Sequence, residues 1–330
     1  MLLRRLLPNL FLAGAVIACS EDSNDDSPDA GDTAQTDAGA VPHDDDASGP
    51  AALSAEYVLS SEDSVPEGIT FDPEERAFFV GSLNGGGITR VGADGTETEL
   101  RAADGGSVAG LKVDADARRL WACASSEVLV YDLATSQLTH TFPLSEAAEG
   151  ATCNDVTVDG SGRAYLTDSA GPNIYTVHVD EPSASLFATD PRFDATTLGL
   201  NGIELNAAGD ALLVAKFLAG KLFRVALSSP TEIIEVELTG AAFSAPDGLA
   251  VLDGNLYSVS DAELKRVVFE NDQELTGEVT VSPFAEGGLS TATVAEGQLY
   301  AVKSETVNFV VGEPLNLPFK IVRIDLNSFE

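Results

Sequence analysis

Four oxygen-bearing side chains recur at the same point of a motif that is repeated along this chain. Glu67 precedes Asn154 by 87 residues, and Asn154, Asn201 and Asp247 follow one another at intervals of 47 and 46 residues. Each stands at the head of a short apolar segment, which a polar turn and a second apolar segment follow. Carboxylate and amide oxygens are ligands that hard divalent cations such as Ca²⁺ prefer. The four residues are therefore candidate metal ligands if the fold brings them together.

A simpler explanation applies to each of these residues taken alone. Asn and Asp are common turn formers just before a strand, where the side chain hydrogen-bonds to the nearby backbone. Four oxygen donors at one position of a repeat are harder to explain in this way. Their shared position favours a metal site over four unrelated turns.

The interval between these residues indicates a repeat architecture. A period of about 40–50 residues with four short strands in each repeat is typical of a β-propeller blade. Weaker copies of the motif begin at Val108 and Gly288, so six repeats fit between Ala55 and Glu330. We predict an all-β, six-bladed β-propeller. A parallel β-helix is the alternative, and the glycine-bounded hairpins favour antiparallel blades.

The two ends of the repeat region predict how the ring closes. Residues 56–60 form a strand that precedes the first repeat, and the last repeat ends on a third strand at 319–324. Because a ring of sheets must close without a bare edge, we predict that the N-terminal strand completes the last blade. The innermost strands of a propeller run in the same direction along its channel. The four candidate ligands should therefore converge on one mouth of that channel.

The N-terminal segment predicts export and a lipid anchor. Arg4 and Arg5 precede an apolar run at 6–18, which is too short to span a bilayer and ends at Cys19. This arrangement is similar to the cleavage site of bacterial lipoproteins, in which the cysteine is acylated. An ordinary signal peptide with a chance cysteine is the alternative. Ser20, rather than aspartate, after the cysteine favours the outer membrane.

An acidic segment follows the predicted signal. Residues 20–50 contain ten Asp or Glu and no Lys or Arg, and such a segment buries too little apolar surface to offset its ordering entropy. We therefore divide the chain into a lipoprotein signal peptide at 1–19, a disordered tether at 20–54 and a propeller at 55–330. The expected location is the bacterial cell envelope, at the outer membrane or facing the periplasm.

The charge of the chain excludes some classes of partner. The formal charge is −35, and residues 51–330 alone carry 43 acidic and 16 basic residues, or −27. A surface of this sign repels nucleic acids and anionic lipid. We expect a monomer that binds a small molecule, does not bind nucleic acid, and contacts the membrane only through its lipid anchor.

Two cysteines lie within the predicted propeller. Cys123 falls near the end of a second strand and Cys153 opens the first strand of the next blade. Disulfides persist in the compartment to which the signal directs the chain, and neighbouring blades can bring the two α-carbons within bridging distance near the channel. We predict a Cys123–Cys153 disulfide. Two buried free thiols are the alternative.

At these motifs the chain resembles the senescence-marker-protein/gluconolactonase family, which includes regucalcin and bacterial sugar lactonases. The resemblance implies that Glu67, Asn201 and Asp247 are metal ligands, that Asn154 contacts substrate or the metal through water, and that Asp247 is the general base. The motifs that carry it are Glu67-Gly68-Ile69-Thr70-Phe71-Asp72, Asn154-Asp155, Asn201-Gly202-Ile203 and Pro246-Asp247-Gly248.

Two departures from the family bear on its substrate. Sugar lactonases of the family tend to have arginine two residues before the position of Asn154, and this chain has Thr152. A related branch uses histidines near its metal, whereas His43, His140 and His178 are poorly placed for that role. Lys216 and Lys303 end second strands, where solvated side chains are the simpler explanation and contact with an anionic substrate is the alternative.

Two hypotheses of different classes follow. The first is an envelope-tethered, metal-dependent hydrolase of a lactone or related small ester, with Ca²⁺ preferred and Mg²⁺, Mn²⁺ or Zn²⁺ as alternatives. The second is a non-catalytic propeller in which Ca²⁺ has a structural role and the outer surface binds a partner. The oxygen-donor positions favour the first hypothesis, and the absent arginine and histidines favour the second.

Overall fold

The computed structural model describes residues 51–194, 198–284 and 286–329. The predicted signal segment at 1–19, including Cys19, and the tether up to residue 50 lie outside the described residues. The helices of the described part are short, and none is long and apolar enough to cross a bilayer.

Six small antiparallel sheets follow one another along the chain, each starting from an innermost strand. The short apolar segments form these strands, and Gly, Asn and Asp turns end them, as the repeat predicts. The strands, blade by blade, are β2 Pro66–Asp72, β3 Ala77–Ser82, β4 Ile88–Gly92 and β5 Glu97–Arg101; β6 Leu111–Asp114, β7 Arg119–Ala124, β8 Glu127–Asp132 and β9 Gln137–Pro143; β10 Cys153–Val158, β11 Ala164–Asp168, β12 Asn173–Val177 and β13 Ser185–Thr189; β14 Leu200–Leu205, β15 Ala211–Lys216, β16 Lys221–Ala226 and β17 Ile233–Glu235; β19 Leu249–Leu252, β20 Asn255–Ser260, β21 Glu263–Phe269 and β22 Thr276–Pro283; and β23 Leu289–Ala295, β24 Gln298–Lys303 and β25 Lys320–Arg323.

The innermost strands form a closed ring. Each of β2, β6, β10, β14, β19 and β23 contacts the next in this order, and β23 contacts β2 again. The six-bladed propeller predicted from the repeat is therefore confirmed.

The N-terminal strand completes the last blade. β1, at Glu56–Val58, pairs antiparallel with β25, and Tyr57 lies opposite Ile321. Tyr57 is buried, and its ring packs edge-on against Phe78 of the first blade. The predicted closure is confirmed, and β1 holds the last blade against the first.

Blade five has one strand more than the repeat predicts. β18, at Glu237–Gly240, follows the short outer strand of blade four and pairs parallel with β22 of blade five. The chain thus crosses from one blade to the next at the outer edge before it returns to the channel. The cores lie between blades; one of them packs Phe78, Tyr300 and Phe319 at the closure.

One end of the propeller carries the longest connection between second and third strands. The start of each first strand pairs with the end of the second strand, as Cys153 pairs with Asp168 and Leu200 with Lys216. The connections that follow the second strands therefore emerge at the mouth where the first strands begin. In blade six this connection spans residues 304–319 and contains a helix, α1 Thr306–Val311.

Candidate functional site

The four candidate ligands all stand at the head of innermost strands at this mouth. Glu67, Asn154 and Asn201 are the second residues of β2, β10 and β14, and Asp247 lies just before β19. Glu67 and Asn201 are buried, with 8% and 7% of their surface exposed, whereas Asn154 and Asp247 are partly exposed. The site is thus open toward solvent on the side of Asn154 and Asp247.

Glycines allow these strand starts to approach one another closely. A β-carbon at Gly202, directly after Asn201, would lie 2.3 Å from the carbonyl oxygen of Asp247. The same position is glycine in three other blades, at Gly68, Gly110 and Gly248. Close packing of the backbone at this level narrows the channel just below the ring of candidate ligands.

Blade three has a carboxylate where four other blades have glycine. A β-carbon at Gly110 would lie 2.3 Å from Asp155 Oδ1, so the glycine leaves room for that side chain. Asp155 Oδ1 accepts a hydrogen bond from Val156 N at 2.8 Å, and Oδ2 accepts one from Ile203 N at 3.1 Å. Asp155 thereby joins the first strands of blades three and four and forms part of the floor of the site.

The electrostatics of the site are those of carboxylates held close together. Burial, followed by the charges of Asp247 and Asp155, raises the pKa of Glu67 well above its ordinary value. Asp247 is partly exposed as a residue, but its carboxyl group is buried, and this burial raises its pKa to about 7. The charge of Asp155 raises this pKa further, and the hydrogen bond from the side chain of Asn201 lowers it. Burial likewise raises the pKa of Asp155 to about 7, although the backbone hydrogen bonds to it oppose this.

The donor set fits a cation with oxygen ligands. Among the charges near Glu67 and Asp247 there is no lysine or arginine of the described residues to compensate them. No three His, Cys, Asp or Glu side chains in the described ranges are placed to hold a metal on their own. A cation here would therefore be held by Glu67, Asp247, amide oxygens and water, a mixed set typical of Ca²⁺.

Two buried hydroxyl groups bind the carbonyl groups of candidate ligands. Ser290 Oγ donates to the carbonyl oxygen of Glu67 at 3.0 Å, and Thr167 Oγ1 donates to that of Asn201 at 2.7 Å. Thr167 Oγ1 also accepts a hydrogen bond from Asp155 N at 3.1 Å. Both hydroxyls lie in a neighbouring blade, so they fix the position of one strand start against another.

The predicted disulfide is present beside the site. Cys123 and Cys153 are bonded, with α-carbons 5.2 Å apart and a sequence separation of 30. The bond links β7 of blade two to β10 of blade three, directly before Asn154. This part of the sequence analysis is confirmed.

The remaining polar candidates are held in structural contacts. Lys216 Nζ donates to the carbonyl oxygens of Arg192 and Asp194, and Lys303 is buried and paired with Glu305. The expectation of a solvated side chain is wrong for Lys303, which is buried, whereas Lys216 stays partly exposed and binds carbonyl groups of an adjoining loop. Thr152 N donates to the buried Asp168.

Neither described histidine lies at the mouth. His140 lies on the outer strand β9, and His178 follows β12 at the opposite end of the propeller, whereas His43 is outside the described residues. No histidine of the described ranges is therefore placed to act as a base at this site.

A cavity of about 340 Å³ continues from the floor of the site along the channel. Asp155 and Thr291 line its upper end, and a Lys112–Glu204 ion pair lies deeper, where Glu204 also accepts a hydrogen bond from Thr157. Lys112 and Glu204 compensate each other, and the lower channel is therefore polar without excess charge.

Three residues of this site were not identified as candidates from the sequence. Asp155 could have been found, because it stands where four blades have glycine. Ser290 occupies the ligand position of blade six. A serine at that position does not by itself predict a hydrogen bond to the carbonyl group of Glu67 in the neighbouring blade. Thr167 lies within a second strand, and only the register between blades reveals its contact with Asn201.

A family model described as the SMP-30/gluconolactonase/LRE-like region matches residues 65–288. No curated protein matches the chain.

Solved structures with the same architecture include proteins of different activities. The major allergen Mala s 1 of Malassezia sympodialis has 16% identity and a TM-score of 0.66, and the match covers 84% of this chain and 98% of the allergen. A gluconolactonase from Xanthomonas campestris has 18% identity, a TM-score of 0.58 and coverage of 79% and 86%. Virginiamycin B lyase from Staphylococcus aureus has 18% identity, a TM-score of 0.57 and coverage of 74% and 80%. These likenesses show the fold alone.

Proposed function

The chain belongs to the SMP-30/gluconolactonase/LRE-like family, and from this we propose that it is a metal-dependent hydrolase of a lactone or related small ester. The gluconolactonase from Xanthomonas campestris, which has the same fold, supports this reaction class. The observation that carries the proposal is the ring of oxygen donors at one mouth of the channel. Burial and the charge of Asp247 raise the pKa of the nearby Glu67, and no basic side chain of the described residues offsets the charge of either carboxylate.

The oxygen donors at the channel mouth divide into two groups, those that would bind the cation and those that would act on the substrate. Glu67 and Asn201 are buried, and their carbonyl groups are fixed by Ser290 and Thr167, so they would hold the cation in place. Asp247 and Asn154 are partly exposed, so a substrate would reach the site on their side. A bound cation would polarise the carbonyl group of the substrate and favour ionisation of water.

The hydrolysis follows from these positions. The oxygen of a water molecule attacks the carbonyl carbon of the lactone, and the ring C–O bond breaks. Asp247 accepts the proton of the water and returns it to the alkoxide oxygen that leaves, which yields a hydroxy acid. Asn154 orients the substrate through its side-chain amide. Asp155, on the floor, adds negative charge that strengthens cation binding.

The second hypothesis has an observation in its favour. The position that is arginine in sugar lactonases is Thr152, whose backbone N–H donates to Asp168 at 3.0 Å and whose side chain donates only to its own loop. A non-catalytic propeller with a structural Ca²⁺ would require no such arginine. Both hypotheses include a bound cation, so cation binding does not distinguish them. Only the first predicts turnover of a substrate.

A lactone panel decides between them. Purified protein is freed of metal and assayed with sugar lactones, simple γ- and δ-lactones and aryl esters, with Ca²⁺, Mg²⁺, Mn²⁺ or Zn²⁺ added one at a time. Hydrolysis that depends on one of these ions supports the hydrolase. Cation binding by calorimetry without turnover of any substrate would instead support the structural role.

We also propose that the protein is tethered to the bacterial envelope through acylated Cys19. The support is the sequence alone, namely the short apolar run that ends at this cysteine and the acidic segment that follows. Mass spectrometry of the mature N-terminus tests this. A lipid-modified Cys19, together with release of a Cys19→Ser variant from membranes, is the expected result, and an unmodified N-terminus elsewhere would contradict it.

A further inference from the structure

The connection between β24 and β25 is unlike the corresponding connection of the other blades. It spans 16 residues, 304–319, whereas the others span two to five residues. All of these connections emerge at the mouth that holds Glu67 and Asp247, because the end of each second strand pairs with the start of the first. The additional chain of blade six is therefore placed at the site end of the propeller.

The helix in this connection is fixed to the rim of the site. Ser304 N and Glu305 N donate to Gly288 O, two residues before Ser290, which binds the carbonyl group of Glu67. Phe309 packs into the core at the closure of the ring. The buried Glu305 accepts hydrogen bonds from Asn308 and Lys303.

The opposite face of the helix is apolar and exposed. Val307 and Val311 are four residues apart, so they share one side of α1, and they expose 49% and 42% of their surface. Leu317, in the same connection, exposes 43%. None of these three side chains belongs to a described core cluster.

A second apolar element lies at the same mouth, on blade four. Leu218, in the connection 217–220, exposes 49% of its surface. The same connection touches the two segments that lead into candidate ligands. Phe217 N donates to Gly199 O, two residues before Asn201, and a β-carbon at Gly220 would lie 2.6 Å from Phe243 O, four residues before Asp247.

All the basic side chains described at this end of the propeller already bind other groups of the protein. Each of them binds a carboxylate or carbonyl group of the protein; they are Arg101, Arg192, Lys216, Lys221, Lys265, Lys303 and Lys320. No basic group there is left to receive an anionic substrate. A phosphorylated or carboxylated molecule would also meet a domain of strongly negative charge.

From these observations we propose that the substrate is an uncharged lactone carrying an apolar chain, and that Leu218, Val307, Val311 and Leu317 bind this chain while the lactone ring lies at Glu67, Asn154 and Asp247. This inference rests on the proposed lactonase function. It explains why apolar side chains are exposed in both connections beside the candidate ligands. The remaining exposed large apolar side chains in the described ranges lie singly on outer parts of blades, as does Leu186.

The test uses a series of γ-alkyl γ-lactones, from methyl to heptyl, with glucono-δ-lactone as the polar reference. Each added methylene should raise kcat/KM about two- to fourfold, since a fully buried CH₂ corresponds to about fourfold in affinity. In the triple variant Leu218→Ser, Val307→Ser and Val311→Ser, the gain in kcat/KM for each methylene should fall to near one. A double variant of equally exposed outer residues, Leu138→Ser with Leu186→Ser, should behave as the native protein.

A parallel binding measurement separates this inference from the lactonase itself. In γ-alkyl γ-lactams an amide, which resists hydrolysis, replaces the ester of the lactone. Calorimetry with these lactams and Ca²⁺ should show the same dependence of affinity on chain length. If no lactone is turned over but lactam affinity rises with chain length and the triple variant abolishes the rise, the apolar site stands and the hydrolase fails. Turnover or binding that is independent of chain length, or an equal loss in the outer control variant, would overturn the apolar site.

Discussion

Asp247 combines two properties at a single residue, a candidate ligand position and exposure to the open side of the site. We expect Asp247→Asn to lower kcat/KM by at least 100-fold at saturating cation, since the amide cannot accept a proton from water. The fold should persist, because the amide preserves the shape of the side chain. Circular dichroism and lactone kinetics measure both effects, and a variant with near-native turnover would show that another group is the base.

Ser290 and Thr167 bind the backbone carbonyl groups of Glu67 and Asn201, so they would act one step away from a bound cation. Ser290→Ala or Thr167→Val should weaken Ca²⁺ binding about 2- to 10-fold, which corresponds to the loss of one hydrogen bond. Ser258→Ala is the matched control, because Ser258 is fully buried and its hydroxyl has no partner among the described residues. Calorimetry gives the affinity; a lower melting temperature without a change of affinity would reduce both hydroxyls to a structural role.

The raised pKa values of Asp155 and Asp247 predict how pH changes the effect of a cation. A carboxyl group whose pKa rises on folding stabilises the fold below its ordinary pKa of 3.8, and this contribution is lost as the pH rises through about 7. The cation-free protein therefore loses this contribution between pH 4 and pH 7. A bound cation favours the ionised groups, so its stabilising effect should increase over the same range.

The stabilising effect of the cation at each pH is measured as the difference in melting temperature between protein with Ca²⁺ and cation-free protein. Other carboxyl groups, such as Asp159 with its lowered pKa, affect both samples alike and cancel in the difference. The difference should grow from pH 4.5 to pH 7.5 and be much smaller in Asp247→Asn. A difference that does not vary with pH would contradict the proposed carboxylate site.

At the scale of single residues, the sequence predicts positions better than interactions. Glu67, Asn201 and Asp247 could be located because each occupies the same point of a repeat. The contact of Thr167 with Asn201 could not, since it joins two blades and depends on how far the channel closes. Glycine one residue after the ligand position indicates close packing of blades. It draws attention to a site residue only in blade three, where Asp155 replaces the glycine.

At the scale of elements, the disulfide joins strands of two blades next to Asn154. Replacing both cysteines, Cys123→Ala with Cys153→Ala, should lower the free energy of unfolding by about 3–4 kcal/mol, the entropy of a loop of about 30 residues. It should also weaken Ca²⁺ binding, because Cys153 precedes Asn154 in β10. Denaturant unfolding and calorimetry measure the two effects. Stability loss with unchanged affinity would show that the bond does not support the site.

The thiol content of the native protein is the complementary measurement. The unreduced, unfolded protein should show no reactive thiol from Cys123 or Cys153. Two reactive thiols would contradict the bond outright.

Most strands could be predicted from the sequence, whereas two elements could not. β18 pairs with blade five although its residues follow blade four, and alternation within a strand does not reveal its partner. Helix α1 is only six residues long, so it shows too few turns for a periodic pattern. The other strands could be predicted because they belong to the repeated motif. β18 and α1 lie outside this motif, so the repeat does not predict them.

At the scale of the whole molecule, β1 closes the ring. A variant that begins at residue 61 loses Leu53, Tyr57 and Leu59 from the core between the last and first blades. Each buried side chain contributes about 1.5–3 kcal/mol, so the melting temperature should fall by at least 10 °C and the bare edge of β25 should promote association. Removal of residues 20–50 is the control and should change neither. Scanning calorimetry and size-exclusion chromatography measure both, and equal behaviour of the two truncations would contradict the role of β1.

The pairing of β1 with β25 also sets an order of events during folding. Tyr57 lies opposite Ile321, so the two partners are separated by nearly the whole length of the propeller. A contact between such distant residues closes a very long loop, and the entropy lost in closing that loop slows formation of the contact. Blade six cannot be completed until β25 has been synthesised. A chain whose synthesis stalls before β25 would therefore present an unclosed set of blades with free strand edges.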